Sequence, residues 1–118
     1  MEQEVCRFVE EKTQELLDAP SCCRELREAA QAWLDAVGTP HEAAQTKAYI
    51  AELEADIMPI EQLIAFAQSE AGKQSFGAEK AAGIAAHAIE IRDAGAKYCD
   101  CPACAAAEAI LEKKDRLL

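Results

Sequence analysis

The sequence predicts an all-α protein, a single-domain bundle of five or six mostly antiparallel helices over residues 1–118. Three observations predict it. Alanine supplies 26 of the 118 residues, and a small side chain that loses no rotamer freedom suits closely packed helices. Apolar residues recur at spacings of three and four in one segment after another, the period of an amphipathic helix. No run alternates apolar and polar residues with the period of two that a half-buried strand requires.

The elements follow in order. A first helix is expected from about Glu2 to Asp18, with Val5, Phe8, Val9, Lys12 and Leu16 on one face, and Pro20 stops it. A second opens at Ser21 as N-cap and carries Cys23, Leu26, Ala30, Trp33 and Val37 inward, with Trp33 as its core anchor. Gly38 ends it at the position after the C-cap. Thr39-Pro40-His41-Glu42 reads as a capping box: Thr39 at the N-cap, Pro40 at the first helical position, Glu42 three residues in. The helix it opens carries Thr46, Ile50, Leu53 and Ile57 up to Pro59, where the stripe resumes as Ile60, Ile64 and Ala67. A break at Pro59 is favoured, because one helix from 40 to 70 would reach about 46 Å, far beyond its neighbours. Residues 69–77 hold two glycines and read as a short turn-and-helix connection. The next helix covers Ala78 to Ala94, with Ile84, His87, Ala88 and Ile91 inward and Gly95 closing it. The last begins at Cys101-Pro102 and runs to the C-terminus, with Ala107, Ile110, Leu111 and Leu117 on its apolar stripes.

Charge narrows the function classes. With 22 acidic against 12 basic residues the net charge is −10, a field that repels phosphate backbones and anionic lipid heads. Nucleic acid and membrane surfaces are therefore poor partners. No apolar stretch has the length of a membrane span. The N-terminal run Met1-Glu2-Gln3-Glu4-Val5-Cys6 has neither a basic leader nor an apolar signal core, so a cytoplasmic protein is expected. Thiols stay reduced in that compartment, and clustered cysteines there read as metal ligands or redox groups before disulfides.

Five of the six cysteines fall into two groups: Cys22-Cys23, and Cys99, Cys101 and Cys104 at spacing C-x-C-x-x-C. Both groups open helices, where unpaired backbone N–H groups and the helix dipole favour a thiolate and should lower its pKa. If helices alternate up and down and the chain reverses near Pro59, the second and last helices begin at the same end and the groups meet. A continuous 40–70 helix would put them at opposite ends. On convergence, Cys99, Cys101 and Cys104 with Cys22 or Cys23 make a four-sulfur shell. Such a shell suits zinc, while Cu(I) and an iron–sulfur cluster share its donor chemistry. With no open position it is structural, not catalytic. Cys6 has no sequence partner and reads as a small buried or half-buried residue.

The segment Cys101-Pro102-Ala103-Cys104 resembles one arm of a zinc knuckle, with Ala105 where such arms usually have Gly. It also resembles a thioredoxin-like C-P-x-C pair, although those follow a β-strand and none precedes Cys99. The remaining polar groups have plain readings. His41 is a surface residue, His87 a hydrogen-bonded core histidine, and Glu52, Glu54, Asp56 and Glu61 a solvated face. His87 and Glu90 lack the second Glu-x-x-His and the additional glutamates of a di-metal carboxylate bundle. No glycine-rich phosphate loop, nucleophile elbow or haem-attachment motif is present.

The run Lys97 to Lys114, with Ala19-Pro20-Ser21-Cys22-Cys23 and Ala55-Asp56-Ile57-Met58-Pro59-Ile60, resembles small uncharacterised bacterial helical proteins of about this length. Some of these carry a ninety-kilodalton heat-shock chaperone label. That label does not transfer, because the chain is far too short and lacks the ATP-binding motif. The resemblance implies no catalytic residues. Three readings stay open. The first is a non-enzymatic protein binding a metal ion, zinc foremost, through Cys22, Cys23, Cys99, Cys101 and Cys104. The second is a thiol-redox protein using Cys101 and Cys104. The third is a helical interaction module with inert cysteines, binding a protein partner or a second copy of itself as a homodimer.

Overall fold

A computed structural model describes residues 3–118. They form eight helices and no strand: α1 Gln3–Asp18, α2 Arg24–Ala36, α3 Glu42–Asp56, α4 Ile60–Gln68, α5 Glu70–Phe76, α6 Ala78–Asp93, α7 Pro102–Leu111 and α8 Lys114–Leu117. Glu2, the expected first helical residue, lies outside the described residues. None of these helices is long and apolar enough to cross a membrane.

The all-helical class stands, but the expected count of five or six is corrected to eight, for two local reasons. Residues 69–77 make a helix of their own. Ser69 is its N-cap, with Oγ accepting the Gly72 N–H at 3.1 Å while donating to the Phe66 carbonyl at 2.6 Å. The C-terminal helix is interrupted after Leu111, where Lys113 leaves helical geometry (φ −96°, ψ 7°) before α8 begins. Pro59 does break the third helix from the fourth. Ile57 and Pro59 are extended, and Pro59 becomes the N-cap of α4.

The capping box at Thr39 does not form as expected. His41 is the N-cap of α3, and Thr39 sits just before it, donating to the Ala36 carbonyl and accepting the His41 N–H. Gly38 (φ 80°) and Gly95 (φ 108°) follow α2 and α6 in the left-handed region, as their place after a C-cap requires.

The chain packs as two compact units. One comprises residues up to Ile57 together with Asp100–Leu118; the other is Met58–Cys99. In the first, α1 packs on α7 and α2, and α3 packs on α2 and α7. Val5, Val9, Leu16, Leu26, Ala30, Trp33, Tyr49, Leu53, Ala107 and Ile110 form its core. Trp33 is fully buried, as its place on the apolar stripe predicts, and its ring stands 5.6 Å from that of Tyr49.

Two buried polar links cross this core. Trp33 Nε1 donates to Thr46 Oγ1 at 3.0 Å, and Thr46 in turn donates to the Glu42 carbonyl at 2.7 Å. The Tyr49 and Thr13 hydroxyls lie 2.8 Å apart and are hydrogen-bonded to each other. A buried hydroxyl left unpaired is costly, so these links hold α2 on α3 and α3 on α1 in one register. Burial pushes the Tyr49 phenol up to about 12, with the Thr13 hydroxyl opposing the shift.

In the second unit α6 packs on α4 and α5. Ile60, Ile64 and Ala88 form its core, with Leu63, Ile89 and Ile91 packed around them. The buried face of α6 is Ala81-Ala85-Ala88, which leaves Ile84 and Ile91 half-buried and turns His87 outward, correcting the core position expected for it. Alanine lets α6 sit close, so the small residues and not the isoleucines define its inner face. Pro59 and Tyr98 form an antiparallel bridge, with the Ile60 N–H on the Lys97 carbonyl (2.9 Å) and the Cys99 N–H on that of Met58 (2.8 Å).

Gly72 is required sterically: a Cβ there would collide with the Phe66 carbonyl oxygen and stand 2.9 Å from its carbon. Gly83, mid-helix in α6, faces open space. Gly72→Ala is therefore expected to lower stability by about 2 kcal/mol or more, and Gly83→Ala to raise it by about 0.5–1 kcal/mol, read by urea denaturation.

Tyr49 makes an alkaline prediction. Its pKa is higher folded than in the unfolded chain, so its stabilisation is complete below pH 10 and is lost as pH rises from 10 through 12. Tyr49→Phe should remove that loss and cost about 1–2 kcal/mol at neutral pH through the stranded Thr13 hydroxyl, both read from urea midpoints across pH.

Candidate metal centre

The turn between α1 and α2 presents Cys22 and Cys23. It is held by Arg27, one turn into α2, whose guanidinium donates to the carbonyls of Ala19 (2.8 Å), Cys22 (3.1 Å) and Leu17 (3.3 Å). Two of these carbonyls belong to the end of α1, where helix acceptors lack partners and a cation is favoured. Cys22 is buried and its sulfur donates to the Cys23 carbonyl at 3.6 Å. Cys23 is the N-cap of α2 and is exposed, not inward as its place on the stripe implies, because the cap residue precedes the packed turns of the helix.

The second group lies on the continuous run Cys99–Cys104. The Cys99 backbone is fixed by its hydrogen bond to Met58. Cys101 is the N-cap of α7, with Pro102 opening the helix, and its sulfur accepts the Cys104 N–H at 3.4 Å. The three sulfurs of Cys99, Cys101 and Cys104 all lie within 4.8 Å of one another, each half-buried, a spacing from which one ion can be held.

One member of the second group, Cys104, meets the first. Cys22, Cys23 and Cys104 line one cavity of about 60 Å³, with Asp56 and Ile57 from the end of α3 and Ala103 and Ala107 of α7 among its other walls. That volume admits a cation or water and is far below the roughly 300 Å³ and more of small-molecule sites. Two wider concavities, of about 460 Å³ beside Lys12 and Pro102 and about 420 Å³ beside Lys73 and Ile89, are open and have no cysteine in their walls.

Thiol acidity departs from expectation at the α1–α2 turn. Burial raises the pKa of both Cys22 and Cys23 and outweighs the influences that oppose it. For Cys22 the neighbouring Cys23 adds to the rise and Arg27 opposes it. For Cys23 the Leu26 N–H pulls down, which is the helix-end effect, while Asp56 pushes up by charge and hydrogen bond. The expected lowering is thus overridden at both thiols. Cys6, half-buried as expected, is also raised, by burial first and then by Glu10, to which its sulfur donates at 3.4 Å.

Asp56 is the residue that sequence reasoning missed. Read as part of a solvated face, it borders this cavity, and its Oδ2 is buried without a hydrogen-bond partner. Glu52, one turn earlier, has its carboxyl pushed up, first by a hydrogen bond with Asp56, then by burial and by the Asp56 charge. The only available signal was the i, i+4 relation of Glu52 and Asp56 near Pro59, and it does not specify burial. Glu54 and Glu61 are exposed, pairing with Lys114 (3.1 Å) and Arg92 (3.6 Å) respectively, as a solvated face implies. His41 is exposed as well.

No protein-family model, curated protein or solved structure matches this chain.

Arg27→Met keeps the aliphatic stem and removes the three donors to the turn. It is expected to lower stability by about 2–3 kcal/mol and to raise the alkylation rate of buried Cys22, measured by urea denaturation and by iodoacetamide labelling with mass mapping.

Proposed function

We propose that this protein binds one divalent metal ion, zinc by preference, as a structural centre, through Cys99, Cys101 and Cys104 with the shell completed by Cys22 or Cys23. The observation that carries the reading is the approach of three sulfurs to within 4.8 Å of one another in a six-residue run. The cavity shared by Cys22, Cys23 and Cys104 supports a contribution from the α1–α2 turn. A thiolate shell closed in this way leaves no position for substrate, so the metal stabilises the fold and catalyses nothing. The protein then acts as a cytoplasmic interaction or stress-related module.

A dithiol at Cys101 and Cys104 is the second reading, favoured by the N–H of Cys104 on the Cys101 sulfur, which stabilises a thiolate. One experiment separates the two: purify the untagged protein reduced and without chelator, then measure metal by elemental analysis and count reactive thiols. About one zinc per chain with four of the six thiols protected, and a melting temperature that falls on metal removal, is the expected result. Six reactive thiols without metal overturn it, and a reversible Cys101–Cys104 disulfide would then select the dithiol.

A further inference from the structure

We infer that Asp56 is a ligand of this centre, its carboxylate oxygen taking the place of the α1–α2 turn thiolate in the four-donor shell, so that the ion is held by thiolates together with one carboxylate oxygen. The inference rests on the metal reading above and deepens it. A mixed sulfur and oxygen donor set takes a borderline divalent cation such as zinc or cobalt. It is poorly matched to Cu(I), which prefers thiolates, and to iron–sulfur clusters, which are built on cysteine sulfur.

The argument starts from where the carboxylate sits. Asp56 is the last residue of α3, at the negative end of the helix dipole, and the last turn of α3 contains no basic residue. Glu52, one turn back on the same helix, is a second carboxyl and brings no positive charge to Asp56. Lys114, a cation close in sequence to α7, is taken by Glu54. Arg27 spends its donors on backbone carbonyls. The Asp56 Oδ2 is nevertheless buried and unpartnered, an arrangement that costs free energy unless a cation or donor reaches it.

What it borders is a cation-sized space. Cys22 and Cys23 come from the start of α2, Asp56 from the end of α3 and Cys104 from the first turn of α7. Leu26, Ile57, Ala103 and Ala107 supply apolar walls, and the two alanines leave the space open. Three elements thus bring sulfur and oxygen donors to one small space, and the Asp56 Oδ2 among them has no hydrogen-bond partner. A divalent ion there satisfies the stranded oxygen and the adverse charge together.

The test uses anaerobic, reduced full-length protein titrated with Co2+, whose thiolate charge-transfer absorption reports binding, and in parallel with Cu(I). Wild type is compared with Asp56→Asn, Glu52→Gln and Cys101→Ser, and each metal-free protein is melted. Asp56→Asn is expected to weaken Co2+ binding about tenfold or more, to leave Cu(I) affinity within about twofold, and not to lower the metal-free melting temperature. Glu52→Gln should stay within about twofold for both ions. Unchanged Co2+ affinity in Asp56→Asn overturns the inference. So does an equal loss in Glu52→Gln, which would mark a general field effect, or a lower metal-free melting temperature, which would mark a structural role. If Cys101→Ser binds Co2+ like wild type, the thiolate reading fails while Asp56 is judged on its own variant. If wild type binds no Co2+, both fall.

Discussion

The guanidinium of Arg27 organises the junction of α1 and α2. By gathering the carbonyls of Leu17, Ala19 and Cys22 it terminates α1, shapes the turn at Pro20 and fixes the start of α2. Everything donated by that turn to the candidate centre depends on this clamp, because Cys22 and Cys23 have no regular secondary structure of their own. The clamp also places a fixed positive charge behind Cys22, the one influence there that favours its thiolate. A guanidinium is well suited to such a clamp. It keeps its charge and presents several donors in a rigid plane, where a lysine offers a point charge.

Around that turn the first unit interleaves buried alanines with larger aliphatic and aromatic side chains, whose contacts carry no direction of their own and leave freedom of register. Two hydroxyl-centred links remove it. Trp33 reaches Thr46 and Tyr49 reaches Thr13, so α1, α2 and α3 are held by directional bonds as well as by area. The precision bears on the far end of α3, where Asp56 lies in the wall of one cavity with Cys23 and Cys104. The alanines of α7 serve the same end. Ala103 and Ala107 allow close packing and still leave a void the size of an ion.

Much of this was legible in the residues. Pro59 stopped a helix, Gly38 and Gly95 followed helix ends, Trp33 anchored the core and the cysteine spacing marked where sulfurs gather, because each acts through local geometry or a simple period. What was not legible depends on tertiary placement. His87 shares a helical face with Ile84 and Ile91, but α6 buries its alanines instead and carries the histidine outward. The acidity of Cys22 and Cys23 follows burial, which no spacing encodes, and burial overcame the helix-end effect. Thr39 had the pattern of a capping box, yet α3 starts two residues later than that pattern implies. The chain enters and leaves its second unit between Ile57 and Met58 and between Cys99 and Asp100, and no linker-like composition marks either place. Asp56 was hidden among exposed carboxylates for the same reason: a charge run looks alike whether one member is buried or not.

The compactness of the Cys99–Cys104 run has a consequence for the denatured state. Its three sulfurs are neighbours along the chain, so an unfolded or nascent polypeptide offers almost the same chelate as the folded one. A ligand stabilises a fold only by the excess of its affinity for the native form, and for a metal held as proposed much of the affinity would be common to both. The donors that would distinguish native from denatured chain are those arriving from elsewhere, on the α1–α2 turn or at the end of α3. Metal captured by the short run during synthesis would therefore do little to favour folding until those distant groups closed on it, and the ion would act as a template whose hold on the fold is set by its last ligands and not its first.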